Sequence, residues 1–439
     1  MDKEQLKQKV CAAIDQRAQE IIGIGDYMFN HPELGYKEHL AAALVEEKFQ
    51  SLGLDYRKGL AVTGLKARLS GKQHNLSVAV MGELDAVVCH DHPNADPITG
   101  AAHCCGHHAQ TAMMVGVAMG LVDAGVMPYL DGDVVLMAVP AEEYVELDYR
   151  QKLRRQGIIQ FLGGKQELIA LGEFDDVDMA IMCHSESEAP GRVMRVPASP
   201  GVGSNGFIGK AIRYIGKEAH AGGAPHDGIN ALNAAMLGLM GIHANRETFR
   251  DQDAIRVHPI ITKGGDLVNI IPADVKIETY VRGRSIEAVM QAGQKVNRAL
   301  RAGAMAVGAE VVIDEIPGYL PLFNDQQLAA VFRDNALQLL GEEGVEPAAF
   351  MSGSTDMGDI THIMPGLHPM AGGVAGRAHA RDYAIVDPEM AYVIPAKIMA
   401  MTVIDLLYDQ ASLGQQIKQQ FEPRMTKQQY LDMWAELLK

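Results

Sequence analysis

Leu76-Ser77-Val78-Ala79-Val80-Met81-Gly82-Glu83-Leu84-Asp85 is an apolar run that turns acidic at its end. A short, unbroken apolar stretch of this kind reads as a strand covered on both faces. The pattern recurs twice: Asp133–Val139 runs into Pro140-Ala141-Glu142-Glu143, and Asp178–Cys183 runs into His184. Helix-like stretches lie between them at Thr111–Ala124 and Lys165–Leu171, and residues 3–22 and 37–51 have amphipathic helical spacing. Strands alternating with helices predict an α/β fold, a mostly parallel sheet with helices on both faces. Open sheets of this class bind ligands beyond the C-terminal ends of their strands, where these polar residues fall.

The texture changes near residue 203. Gly206–Tyr214, Ala254–Thr262, Val275–Arg282 and Glu310–Ile316 read as strands, and Ile229–Ala244 and Ile286–Ala302 as helices. The order βαββαβ predicts a small ferredoxin-like domain, bounded by Pro197-Ala198-Ser199-Pro200-Gly201 and Pro317-Gly318. A chain of 439 residues exceeds one ordinary core. The expectation is therefore a discontinuous first domain, 1–202 with 318–439, interrupted by an inserted domain, 203–317. Gln410–Lys439 reads as polar helices laid on the surface.

A net charge of −16 argues against nucleic acid, whose phosphates require clustered Lys and Arg. No stretch reaches the roughly 18 uncharged apolar residues of a membrane span. The charged start, Met1–Gln16, lacks the apolar core of a secretory signal. Five Cys in so long a chain do not form a disulfide framework. These features predict a cytoplasmic protein in a reducing compartment.

Residues 81–108 hold five of the sixteen His and three of the five Cys. Within them stands Cys105-Gly106-His107, and further along the paired Glu142-Glu143. A thiolate, an imidazole and carboxylates are the donors that borderline divalent metals select. A turn leading into a helix that starts near Ala109 lets Cys105 and His107 converge. A free Cys alone is most often a buried small hydrophobe; its neighbours favour ligation here. Adjacent side chains alternate in direction, so only one Glu faces a metal squarely. Glu143 is assigned to metal and Glu142 to proton transfer, an order that sequence alone does not settle. Together these donors predict a metal-dependent hydrolase. His184 joins them through its parallel position after a strand, whereas local sequence leaves His379 evenly balanced between ligand and surface residue. Asp85 is either a ligand or a carboxylate that orients a ligand His. A redox role for Cys104 and Cys105 is disfavoured by the absence of Cys-x-x-Cys.

These residues resemble peptidase family M-twenty, the zinc-dependent aminoacylases, carboxypeptidases and amidohydrolases, in its amidohydrolase subfamily D. The resemblance rests on His31-Pro32-Glu33-Leu34-Gly35, Gly82-Glu83-Leu84-Asp85-Ala86, Cys105-Gly106-His107, Pro140-Ala141-Glu142-Glu143, Ala219-His220-Ala221-Gly222 and Asn269-Ile270-Ile271-Pro272. Gly353-Ser354-Thr355-Asp356-Met357-Gly358-Asp359 is similar to the branch of aminobenzoyl-glutamate utilisation protein B and the β-alanyl-lysine dipeptidases. The resemblance implies two divalent ions per chain, zinc or manganese, held by Cys105, His107, Glu143, His184 and His379, with Glu142 as general base. It implies that 203–317 is a lid and homodimerisation domain whose His220 reaches a second subunit's site, and that Asn269 and Arg282 contact a substrate carboxylate. The implied reaction is hydrolysis of the amide bond in a small N-acyl amino acid, aminobenzoyl-glutamate-like compound or dipeptide. The alternative, a non-catalytic metal-bound binding or regulatory protein, has no need of Glu142. Three features depart from the family pattern: His108, an additional possible ligand, the long Arg- and Lys-bearing stretch Tyr144–Gly164, and Ala380-Arg381-Asp382-Tyr383 after His379.

Overall fold

Ser77–Glu83 lies near the middle of a six-stranded sheet ordered Asp55–Leu60, Gly64–Leu69, Asp133–Val139, Ser77–Glu83, Met179–Ile181, Gly366–Leu367. The computed structural model describes residues 1–186 and 189–438. Ser77 pairs with Asp133 and Glu83 with Val139 in parallel register, so these two strands end at the same level. Met179–Ile181 and Gly366–Leu367 extend the parallel set. The other edge is an antiparallel hairpin, Asp55–Leu69, that the apolar-run criterion passed over because Arg57, Lys58, Lys66 and Arg68 interrupt it.

Helix His107–Asp123 packs on the strand Ser77–Glu83, and all but its last two residues are buried. Close approach needs Gly82, where a Cβ would lie 2.7 Å from the Thr111 Cα. The apolar stretch Glu389–Leu407 is a second core helix. By length and composition it could cross a membrane, but Lys397 and Asp405 interrupt it, in keeping with the sequence expectation, and it is buried from Met390 to Leu407. The helix expected over 3–22 is two, Lys3–Gln16 and Ala18–Asn30. Arg17 at the break is held by Glu20 and Asp123, both at 2.7 Å.

The chain forms two compact units: Met1–Gly203 with Phe323–Phe350 and Asp359–Thr426, and Ser204–Leu322 with Met351–Gly358 and Lys427–Lys439. The second unit has an antiparallel sheet. Asp274–Gly283 and Gly206–Ile215 are central, Glu310–Ile316 lies on one side, and Arg256–Val257 with Ile260–Lys263 on the other. Helices Ala231–Asn245 and Ile286–Val307 pack on each other and on this sheet, which is the ferredoxin-like arrangement. The single strand expected over Ala254–Thr262 is split at His258-Pro259, since proline offers no ladder N–H. Helix Lys427–Leu437 belongs to this unit rather than to the first, and it is no surface decoration: Tyr430 and Trp434 are buried with their rings edge to face.

Candidate metal centre

Three parallel strands deliver side chains to one level. Glu83 is the last residue of its strand, with Asp85 two residues on. Beyond Val139 the chain turns at Pro140 and Ala141, whose φ of 54° is unusual for a residue with a Cβ, and then presents Glu142 and Glu143. Gly106, at φ 105°, begins the helix at His107 itself rather than near Ala109. A Cβ there would press on Ser185 Oγ and Tyr383 Oη at 2.7 Å, so only glycine fits. His184 opens a two-residue strand parallel to Met370–Ala371.

Two groups of donor atoms result, each within 4.8 Å of one another: Cys105, His107 and His184, and Cys105, Glu143 and His379. Cys105 belongs to both. Its Sγ is 3.5 Å from His184 Nε2, and His379 Nε2 is 3.0 Å from Glu143 Oε1. The Nδ1 atoms of the buried His107 and the half-buried His184 face oxygen: His107 Nδ1 lies 2.9 Å from the Asp85 carbonyl and 3.2 Å from Asp85 Oδ1, and His184 Nδ1 lies 2.7 Å from the Ser185 carbonyl. Both rings thereby keep a proton on Nδ1 and turn Nε2 inward; burial opposes their ionisation, but the Glu83 and Cys105 charges raise both imidazoles. Asp85 Oδ2 accepts the Glu143 N–H at 2.8 Å. Of the two sequence readings of Asp85, this is the geometry of a carboxylate that orients ligands. His107 Nε2 is buried without a hydrogen-bond partner among the described residues. An imidazole nitrogen that makes no aligned hydrogen bond, though it lies near the Glu83 carboxylate and beside a thiol, fits a borderline divalent ion such as zinc.

Electrostatics hold the acidic donors ionised against the imidazoles around them. Burial and the Glu143 charge push the Cys105 thiol up, but the imidazoles of His107, His184 and His379 outweigh them and bring it down to about 6. Burial likewise opposes ionisation of Glu143, yet His379 and His107 hold it down at about 2. The Glu143 charge in turn raises His379 to about 12, so its ring holds a proton that an ion bound there would displace. Cys104 behaves differently: burial and the neighbouring Cys89 push its thiol up, so it is a poor nucleophile.

One part of the centre gave little sequence signal. Glu83 is buried with Lys165, whose ammonium pairs with Glu83 Oε1 at very short range. Gln110 donates to Glu83 Oε2 at 2.8 Å. Glu83, His107 and Glu142 form a third group of close donor atoms, with His107 Nε2 3.1 Å from Glu83 Oε2 and 3.8 Å from Glu142 Oε2. Both Glu83 oxygens are already engaged, one by a cation, which suits an anchor better than a ligand. Glu83 was visible as a strand-end acid; Lys165 sat unmarked in a helical pattern.

His108 is turned away from these groups. Its buried ring packs against Phe29 at 5.0 Å and His103 at 5.3 Å, and burial brings it down to about 3. Consecutive positions on a helix point to different sides, so His107 and His108 diverge. In the second unit, the N–H groups of Gly222 and Gly223 donate to His220 Nδ1 at 3.1 and 2.9 Å, which leaves the ring proton on Nε2. The Ala221 N–H donates to the Asn269 carbonyl at 2.9 Å, bringing the His220 and Asn269 segments together. Arg282 lies over Phe207 and Tyr280, at 5.5 and 5.7 Å, and donates to Ser354 Oγ at 3.3 Å.

Residues 79–404 match the model of peptidase family M20/M25/M40. A Xaa-Arg dipeptidase of Mus musculus is 28% identical, over 98% of this chain and 96% of its own length. The N-acetyl-L-cysteine deacetylase of Bacillus subtilis is 25% identical over 78% of each chain. Among solved structures, a dinuclear metal-binding M20 peptidase of Bacillus subtilis superposes with a TM-score of 0.67 at 20% identity, covering 90% of this chain and 99% of that one. The aminobenzoyl-glutamate utilization protein of Klebsiella pneumoniae gives 0.66 at 18%, covering 89% and 97%. These two share the fold. By its sequence match, the chain belongs to peptidase family M20/M25/M40 and is a metal-dependent hydrolase of amide bonds.

Proposed function

We propose that the protein cleaves small dipeptides or N-acyl amino acids at a two-metal centre, with Glu142 as general base. The observation that carries this reading is the membership of Cys105 in two donor groups, with Glu142 set beside them. Cys105, His107 and His184 would hold one ion; Cys105, Glu143 and His379 the other. Bound zinc or manganese supplies Lewis acidity, which acidifies water toward a pKa of about 7 and polarises the scissile carbonyl. Glu142 accepts a proton from the attacking water as its oxygen adds to the carbonyl carbon. When the carbon–nitrogen bond breaks, Glu142 returns that proton to the leaving amine. The near full-length match to a protein named Xaa-Arg dipeptidase makes dipeptides the first substrates to try.

His220 is assigned to the tetrahedral oxyanion, supplied from a second copy of the chain, because its Nε2–H is left free of the bonds that Nδ1 makes. A donor in that role contributes roughly 3 kcal/mol. Asn269 and Arg282 are assigned to a substrate carboxylate, for which a guanidinium is the matching bidentate donor. The second unit is read as lid and homodimer interface, supported by exposed Met236 and Met240 on one helix and Ile260 and Ile261 on an edge strand. Five free cysteines support a reducing cytoplasmic setting.

Glu142→Gln tests the core of this reading. The variant is expected to keep fold and metal while kcat on a panel of dipeptides and N-acyl amino acids falls roughly 10²–10⁴-fold. Near-normal turnover in that variant would remove Glu142 from the chemistry.

A further inference from the structure

The stretch Tyr144–Gly164 carries a helix, Leu147–Arg155, and Arg150 on it is fully buried. The guanidinium donates to three main-chain carbonyls: Ala141 at 3.3 Å, Leu162 at 2.7 Å and Glu143 at very short range. Two of those carbonyls flank Glu142 in the chain. The guanidinium also lies over the Tyr36 ring at 5.4 Å, and Gly35 leaves room for it, since a Cβ there would collide with it. The segment is tied to the same stretch at two further points. Tyr36 Oη donates to the Phe161 carbonyl at 3.0 Å, and Lys37 pairs with Glu146 at 2.7 Å.

The turn is gripped from the other side as well. The Ala141 N–H donates to Glu38 Oε1 at 2.7 Å, and Thr63 Oγ1 donates to Glu38 Oε2 at 2.6 Å. Ala141 is thus held by its N–H and its C=O in the left-handed region, which a residue with a Cβ keeps only when its surroundings enforce it. The residue that follows is Glu142.

We propose that Arg150 is a positioning residue for the base: it fixes the carbonyls on both sides of Glu142 and so sets where that carboxylate stands. The planar fork of an arginine reaches three carbonyls at once; a lysine ammonium on a similar stem does not reproduce that geometry. The stretch Tyr144–Gly164 therefore brings its own support for the turn that carries Glu142. The inference rests on Glu142 being the base, and it concerns how that base is placed.

The test compares Arg150→Lys, Glu142→Gln and the double variant by kcat, KM and metal content, at a temperature where each is folded. Arg150→Lys is expected to keep its metal and its KM while kcat falls roughly 10²-fold, the scale of an ångström-sized misplacement. In the Glu142→Gln background the same change is expected to lower kcat no further, because coupled residues are not additive. The assignment is overturned if folded, metal-loaded Arg150→Lys keeps the wild-type kcat, if the two losses multiply, or if kcat falls only in proportion to lost metal. Should Arg150→Lys not fold, Tyr36→Leu withdraws the ring that the guanidinium lies over and removes none of the donors of Arg150. A lowered kcat with metal retained then supports the assignment, and a wild-type kcat overturns it. Wild-type turnover by Glu142→Gln alone would instead defeat the general-base reading, so the two failures are told apart.

Discussion

His379 donates its main-chain N–H to the carbonyl of Cys104 at 2.8 Å, tying a distant loop to the residue that precedes the shared thiol. The tether holds His379 at a φ of 60°, in the left-handed region, and sets its ring against Glu143. Two donor groups that overlap in one atom make a distinctive expectation for metal content.

Purified protein is expected to carry about two divalent ions per chain, as two-metal sites do. His184→Ala and His379→Ala should each lose about one of them, whereas Cys105→Ala should lose much of both. Elemental analysis by mass spectrometry after dialysis reads this out. Full occupancy in Cys105→Ala would mean that the thiol is shared by neither site.

Lys165→Met leaves Glu83 buried without its cation. Breaking a buried ion pair from one side costs about 3–5 kcal/mol, to be read as a lowered urea midpoint. Changing Glu83→Gln in the same chain should recover most of that loss, because no uncompensated charge remains. Equal midpoints for wild type and Lys165→Met would show the pair to be of no consequence.

Glu38 gives stability a pH dependence of known sign. Burial and the nearby Asp85 charge raise its carboxyl from the ordinary 4.5 to about 7. The folded chain therefore binds this proton more tightly than the unfolded one. The stabilisation it brings is complete below pH 4.5 and is lost as the pH rises through 7. Relative to Glu38→Gln, wild type should lose up to about 1.4 kcal/mol per pH unit across that window. Denaturant titrations of both proteins at several pH values measure the difference; a flat difference would mean that Glu38 ionises at its ordinary value.

The dimer reading makes two exposed apolar residues decisive. Met240 is 64% exposed on its helix and Val268 is fully exposed. Surface substitutions ordinarily shift stability by no more than about 0.5 kcal/mol, so Met240→Glu and Val268→Asp should fold normally yet run as monomers in light scattering. Mixing inactive Glu142→Gln with inactive His220→Ala, under verified subunit exchange, should regain up to one working site per hybrid dimer. Silence in that mixture would exclude a shared site.

The parallel core was readable because a strand covered on both faces leaves an unbroken apolar run, as in Asp133–Val139, where every residue is buried. The hairpin Asp55–Leu69 was not, because Arg57, Arg68 and Lys66 send their charged ends to Glu173 and Asp176, acids far away in sequence. The donor types at the centre were equally plain in Cys105-Gly106-His107 and Glu142-Glu143. What sequence spacing could not show are the long-range contacts: the carbonyl that catches His379, the lysine behind Glu83, and the arginine under the Glu142 turn. A buried charge looks like a surface charge until its partner is known.

Trp434 is the only tryptophan of the chain, 1% exposed in the helix Lys427–Leu437 that belongs to the second unit. Excitation at long ultraviolet wavelength therefore lights one body and leaves the other dark. A red shift of that emission on heating follows the ferredoxin-like unit alone, while circular dichroism follows both. If the two melting curves separate, the gap between them measures how independently the two halves of this enzyme come apart.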